Sequence, residues 1–88
     1  MTSQIESDFR ILSKNVRRGN AHVIDRLSRR EIEEPRDILT DLDNQVSSFI
    51  QTYREDPRFD DYEQRIYRLW AMFNRSESEL NKIIGLTY

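Results

Sequence analysis

The chain has 88 residues, 36% hydrophobic and 34% charged, with two Gly, two Pro, no Cys and a formal net charge of −2. A chain of this size has room for one hydrophobic core, so a single domain over residues 1–88 is expected. The lack of cysteine excludes a disulfide framework and a thiolate metal site, and two glycines are too few for a phosphate- or dinucleotide-binding loop.

Ser3-Gln4-Ile5-Glu6 has the spacing of a capping box and predicts a helix starting at residue 3. Ile5, Phe9, Leu12 and Val16 follow at steps of four, three and four, which makes one apolar stripe. Lys14, Arg17 and Arg18 suit the negative end of a helix dipole, and Gly19 suits a left-handed C′ position, so the first helix is expected over about 3–18. Asn20 then reads as the N-cap of a shorter second helix, about 20–33, through Ala21, Val23, Ile24, Leu27 and Ile32. Ser28 and Glu31 form another capping-box pattern, so a restart at Ser28 is the alternative.

Pro35 has no amide hydrogen to donate and fits the first turn of a helix, which places a third helix at about 35–54 with Asp37 near its positive end. Leu39, Leu42, Val46, Phe49 and Tyr53 alternate steps of three and four, widened by Ile38 and Ile50. Asp56 then caps and Pro57 opens a fourth helix, about 57–84, with Asp60 and Asp61 in its first turn. Phe59, Tyr62, Ile66, Leu69 and Phe73 resume the alternation, and Leu80 and Ile83 keep its phase after a skipped position at Ser76. One continuous helix is expected; a break at Asn74 with Ser76 and Glu79 capping is the alternative, and either version ends at Gly85.

These patterns predict an all-α fold, a small antiparallel helical bundle of three to four helices built on a long hairpin of the third and fourth. A fourth helix of about 42 Å overhangs a third of about 30 Å, so either the first helix or another molecule must cover the remaining stripe.

No catalytic residue, cofactor or metal site is expected. His22 is the only histidine, and the acids Asp56, Asp60, Asp61 and Glu63 lack the alternating ligands and central glycine of a calcium loop. Asp41 and Asp43 are two residues apart, point to different helix faces and have nothing beside them to shift their pKa values, so the chain is not expected to be an enzyme. Residues Met1 to Phe9 carry acids and no apolar run; neither a signal peptide nor a membrane span is expected, and a cytoplasmic or other intracellular soluble location fits.

Charge is sorted along the chain. Residues 1–36 carry eight basic and six acidic side chains, residues 37–64 two and eight, and residues 65–88 four and two. An acidic middle between basic ends suggests complementary packing, between helices or along a partner. Twelve of the fourteen basic residues are Arg. The fourth helix combines Arg65, Arg68 and Arg75 with Tyr67, Trp70 and Met72, residue types that interfaces favour because they cover large areas and still make directed polar contacts. Arg65, Tyr67, Arg68, Trp70 and Met72 are therefore the candidate partner-binding residues. The expected function is a non-enzymatic interaction or assembly module, as a homodimer or a small subunit of a larger complex, whose partner is another protein chain. The alternative is a nucleic-acid-associated regulator using the arginines of the first two helices, such as Arg17-Arg18 and Arg29-Arg30, which the net negative charge and the lack of a nucleic-acid-binding motif disfavour.

Overall fold

The structure, a computed structural model, describes residues 3–87, with side chains as far as Gly85; residues 1, 2 and 88 of the expected domain lie outside the described residues. Three helices are present among them: α1 (Gln4–Ser28), α2 (Glu33–Tyr53) and α3 (Phe59–Thr87). Contacts between α1 and α2 run in opposite directions, from Tyr53 against Asp8 to Glu34 against His22. Those between α1 and α3 rise together, from Tyr62 against Phe9 to Ser76 against Asn20. The result is an up-down-up bundle of 49 × 19 × 16 Å.

α1 begins as expected, with the Ser3 hydroxyl accepting from the Glu6 amide at 3.4 Å. It does not stop at Gly19. The two helices expected over 3–18 and 20–33 are one, and tertiary packing explains both residues that suggested a break. Gly19 is helical, with no positive φ, and lies against Leu42 of α2: a Cβ built there would stand 2.9 Å from Leu42 Cδ2 and 3.2 Å from Cδ1. Glycine is present because the Leu42 side chain packs against the α1 backbone there, and not because the chain turns. Asn20 is 8% exposed, and its Oδ1 accepts a 2.5 Å hydrogen bond from the Ser76 hydroxyl. A residue read as a cap is a core residue with a polar partner.

α1 ends ten residues beyond Gly19, at the C-cap Arg29. Arg30 follows with φ 61°, and its amide donates to the Leu27 carbonyl at 2.9 Å while that of Glu31 donates to Arg26 at 3.1 Å. That pair of bonds is a Schellman motif, which satisfies carbonyls left free at the helix end. Ser28 and Glu31 therefore mark the end of a helix and not a restart. α2 begins at Glu33 with Ile32 as N-cap, and Pro35 sits buried in its first turn, where a missing donor costs nothing.

The second connection is closed by Asp56. Its carboxylate accepts from the Arg58 amide at 2.8 Å and its carbonyl from Phe59 at 2.9 Å, so Pro57 lies in the turn and α3 starts two residues later than Pro57 predicted. α3 is continuous through Ser76 and passes Gly85 to reach Thr87. Gly85 thus fails to end the helix: a helical glycine costs only about 1 kcal/mol relative to Ala.

The seam residues Leu39, Leu42, Val46, Phe49, Tyr53, Ile66, Leu69, Phe73 and Leu80 are all buried, together with Ile5, Leu12, Val16, Val23 and Leu27 of α1. Near one end, Phe9 packs on Phe49 and Tyr62 with ring centroids 5.8 and 5.0 Å apart, and Tyr53 lies 4.8 Å from Phe49. At 25 residues α1 runs about 38 Å. The length of the α2–α3 hairpin therefore needs no second molecule to cover it, and the case for a partner rests on the surface.

Candidate functional site

The five candidate partner-binding residues divide between two flanks of α3. Successive residues of a helix are about 100° apart, so Trp70 lies about 160° around the axis from Arg68. Trp70 is half-buried against the core and lines a groove of about 560 Å³ between α2 and α3 with Arg36, Leu39, Thr40, Asp43 and Leu80. Tyr67 is 55% exposed and lies toward the same flank. Arg65 stands on the opposite flank, facing α1, where its guanidinium lies 5.5 Å from the centre of the Tyr62 ring. Arg68 and Met72 follow Arg65 at steps of three and four and so share its flank. The structure thus keeps Arg65, Arg68 and Met72 together and separates them from Tyr67 and Trp70.

Beside Arg65, Arg68 and Met72 runs a second stripe that the sequence reading left unremarked. On α1, Arg10, Lys14, Arg17, Ala21 and Ile24 recur at steps of four, three, four and three. On α3, Arg65, Arg68, Met72, Arg75 and Glu79 recur at three, four, three and four. The stripes border one groove because α1 and α3 are parallel and in register. At its lower end Arg10, Lys14 and Arg17 face Arg65, and at its upper end Ile24 faces Arg75 and Glu79.

The floor of the upper end is apolar. Ile24, 55% exposed, borders with Leu27 and Ile83 a trough of about 530 Å³ between the two helices. Its rims are basic. No Asp or Glu occurs in residues 9–24 or in residues 64–76. The nearest acids on the two stripes are taken: Glu6 pairs with Arg10 at 3.5 Å and Glu79 with Lys82 at 3.4 Å. Among the described residues, Lys14, Arg17, Arg65, Arg68 and Arg75 form no salt bridge. The neighbouring cations raise the local positive potential.

The doublets singled out in the sequence do not gather in the same way. Arg17 lies on the groove, whereas Arg18 lies on the α2 side of α1 with Asp37 and Asp41. Arg29 and Arg30 sit at the α1–α2 turn, where Arg29 pairs with Asp25 at 3.8 Å.

The α1–α2 boundary is bridged by polar side chains. Asn15 donates to Gln45 at 3.3 Å, and Gln45 donates to Asp41 at 2.7 Å. Tyr53 donates its hydroxyl to Asp8, which together with burial pushes the phenol above its ordinary pKa. His22 Nε2 lies 2.8 Å from Glu34, which Arg26 approaches to 3.4 Å. The His22 hydrogen bond, and after it the charge of Arg26, hold the Glu34 carboxyl below the usual carboxylate range. These contacts account for His22 as a link between helices. Among the described residues no group of three or more His, Asp or Glu side chains is arranged to hold a metal ion, and no helix is long and apolar enough to cross a membrane.

No protein-family model, curated protein or solved structure matches this chain.

Proposed function

We propose that this chain is a non-catalytic protein-binding module that engages another protein chain through the groove between α1 and α3. The observation that supports the reading is the meeting of two acid-free stretches, residues 9–24 and 64–76, along the α1–α3 boundary, with Arg10, Lys14, Arg17 and Arg65 at its lower end and an apolar trough that leaves Ile24 exposed at its upper end. Exposed apolar surface beside arginine is the composition of a binding hot spot: the apolar centre excludes water, and guanidinium groups at its edge make directed hydrogen bonds. A cysteine-free chain held by packing can perform this role in a reducing compartment such as the cytoplasm.

The nucleic-acid alternative draws on arginines that the fold divides between the groove (Arg17), the α2 side of α1 (Arg18) and the α1–α2 turn (Arg29 and Arg30), and it leaves the apolar trough unused. A phosphate backbone is satisfied by charge alone and gains nothing from Ile24, Leu27 and Ile83. The net charge of −2 also opposes long-range attraction of a polyanion.

Site-specific photo-crosslinking tests the proposal. With benzoylphenylalanine in place of Ile24 or Met72, we expect a discrete crosslinked protein adduct, identified by mass spectrometry, and none with the probe in place of Asn44 on the exposed side of α2. Equal labelling from all three positions, or none from Ile24 and Met72, overturns the assignment of this face.

A further inference from the structure

We infer that the occupant of the α1–α3 groove is an acidic amphipathic helix of a different protein, with its apolar stripe in the trough and its carboxylates on the two rims. The inference rests on the proposed protein-binding role and adds the chemistry of the partner. Three features carry it. The groove lies between two parallel helices, and a helix laid along them fills it by ordinary side-chain interdigitation. Its basic rims run from Arg10 to Arg17 on α1 and from Arg65 to Arg75 on α3. From Arg10 to Ile24 the groove extends about 21 Å, the length of a four-turn helix. Both rims are cationic, so the fitting ligand bears acids on both sides of its apolar stripe.

A second copy of this chain does not have that face. The acidic helix here is α2, and its apolar stripe, Leu39, Leu42, Val46, Phe49 and Tyr53, is buried in its own core. What α2 presents outward is Asp37, Thr40, Asn44, Ser48 and Gln51, which are exposed and polar. Such a face meets the rims without filling the trough. A lipid surface or a duplex likewise meets the rims alone, because neither projects a row of apolar side chains into a cleft.

The full-length chain can be titrated against a fluorescein-labelled synthetic helix of about 18 residues, long enough to span the groove, with leucine at heptad a and d positions and glutamate on both flanks. Three comparison probes are a peptide with every glutamate replaced by lysine, a scrambled peptide of the same composition, and a double-stranded DNA of equal charge; vesicles containing phosphatidylserine provide a lipid arm. Fluorescence anisotropy at physiological salt should show saturable binding of the acidic amphipathic peptide. Its affinity should fall roughly tenfold or more in Arg17→Glu/Arg68→Glu and in Ile24→Glu, and stay unchanged in Arg18→Glu, which lies outside the groove. All of these positions are exposed, and circular dichroism checks that each variant keeps its helices; Arg17→Gln/Arg68→Gln, without reversed charge, should fall between wild type and the double reversal. Equal binding of the lysine peptide or the scrambled peptide overturns the inference, as does tighter binding of the DNA or the vesicles. If the acidic peptide fails to bind while the Ile24 and Met72 crosslinks persist, the protein-binding role stands and the acidic-helix partner falls; if the crosslinks are also absent, both fall.

Discussion

The two sides of α1 differ in how far the chain completes them. Toward α2, the Leu42 side chain packs closely on Gly19, and polar links at Asp8–Tyr53, Asn15–Gln45 and His22–Glu34 are spread along the boundary. Toward α3, the hydrogen-bonded pair Asn20–Ser76 is buried, but among the described residues Lys14, Arg17, Arg68 and Arg75 form no salt bridge, and Ile24 remains exposed. The contrast separates residues that hold the bundle together from residues free to serve something outside it. A seam with its polar groups matched across it is finished; a seam with like charges on its rims and an apolar floor is not, and the proposed partner would complete it.

Truncation sharpens that contrast most strongly. Leu69, 4% exposed in the shared core, should lose about 2–5 kcal/mol on substitution by Ala, because the lost transfer energy adds to the cost of a cavity. Ile24, on the open seam, should lose only about 0.5 kcal/mol on the same substitution, within the usual range for a surface change. Chemical denaturation measures both values. A Leu69→Ala protein as stable as wild type would put the heptad phase of α3 wrong, and an Ile24→Ala protein as unstable as Leu69→Ala would close the groove.

How much of this was legible depends on whether the signal is local. The stripes of α2 and α3 could be read because a period near 3.6 survives without knowledge of the neighbours, and Leu39 to Tyr53 of the first stripe and Ile66, Leu69, Phe73 and Leu80 of the second are buried as that period required, with Phe59 and Tyr62 partly so. Ser3 could be read because a cap meets its partner within three residues, whereas Asp56, expected to cap a helix at Pro57, instead closes the turn before α3. Gly19-Asn20 could not. Its local preference is for a helix boundary, and the facts that override this are Leu42 on another helix and Ser76, 56 positions away. Ser76 itself resembled a gap in the stripe for the same reason: its partner is polar and distant. The basic groove was hidden similarly, since neither stripe means much until α1 is one helix and its register on α3 is known. An exposed face of α3 was expected to hold Trp70 and Arg68 together, and angular spacing alone was enough to separate them.

Glycine placement provides a second test, smaller than the first, in which the two sites should respond in opposite directions. Arg30 has φ 61°, a region that costs a residue with a side chain about 1–2 kcal/mol, and its side chain forms no salt bridge. Arg30→Gly should therefore raise stability by about 1 kcal/mol, in the position that C′ glycines favour. Gly19→Ala should bring no such gain. The roughly 1 kcal/mol of improved helix propensity is opposed by a Cβ 2.9 Å from Leu42 Cδ2, and Leu42, only 2% exposed, must shift within a packed core to admit it. Thermal melts of the two variants decide the matter. A Gly19→Ala protein more stable than wild type would mean that α1 and α2 are less closely packed than this geometry requires.

The smallest expected effect concerns acid and the His22–Glu34 link on the finished side of α1. Glu34 has its folded-state pKa lowered from 4.5, first by the hydrogen bond to His22 and then by Arg26, so folding favours its ionised form. The sign follows from linkage. A depressed carboxyl contributes stability that is present above the unfolded pKa and is lost as pH falls through the folded one. The link should therefore be in force at neutral pH and fade in acid, beginning as the unfolded-state carboxyl gains its proton and ending once the pH has fallen through the lower folded-state pKa. Both partners are substantially solvent-exposed, with side-chain exposures of 43% and 48%, so water and salt screen the contact and the effect on melting temperature should be slight. Glu34→Gln keeps the shape and removes the titration. Its melting temperature should lie just below that of wild type at neutral pH, and the two curves should converge as the pH is lowered below 4. A gap that persists unchanged into acid would assign the loss to packing of the Glu34 side chain and remove charge from the account of this link.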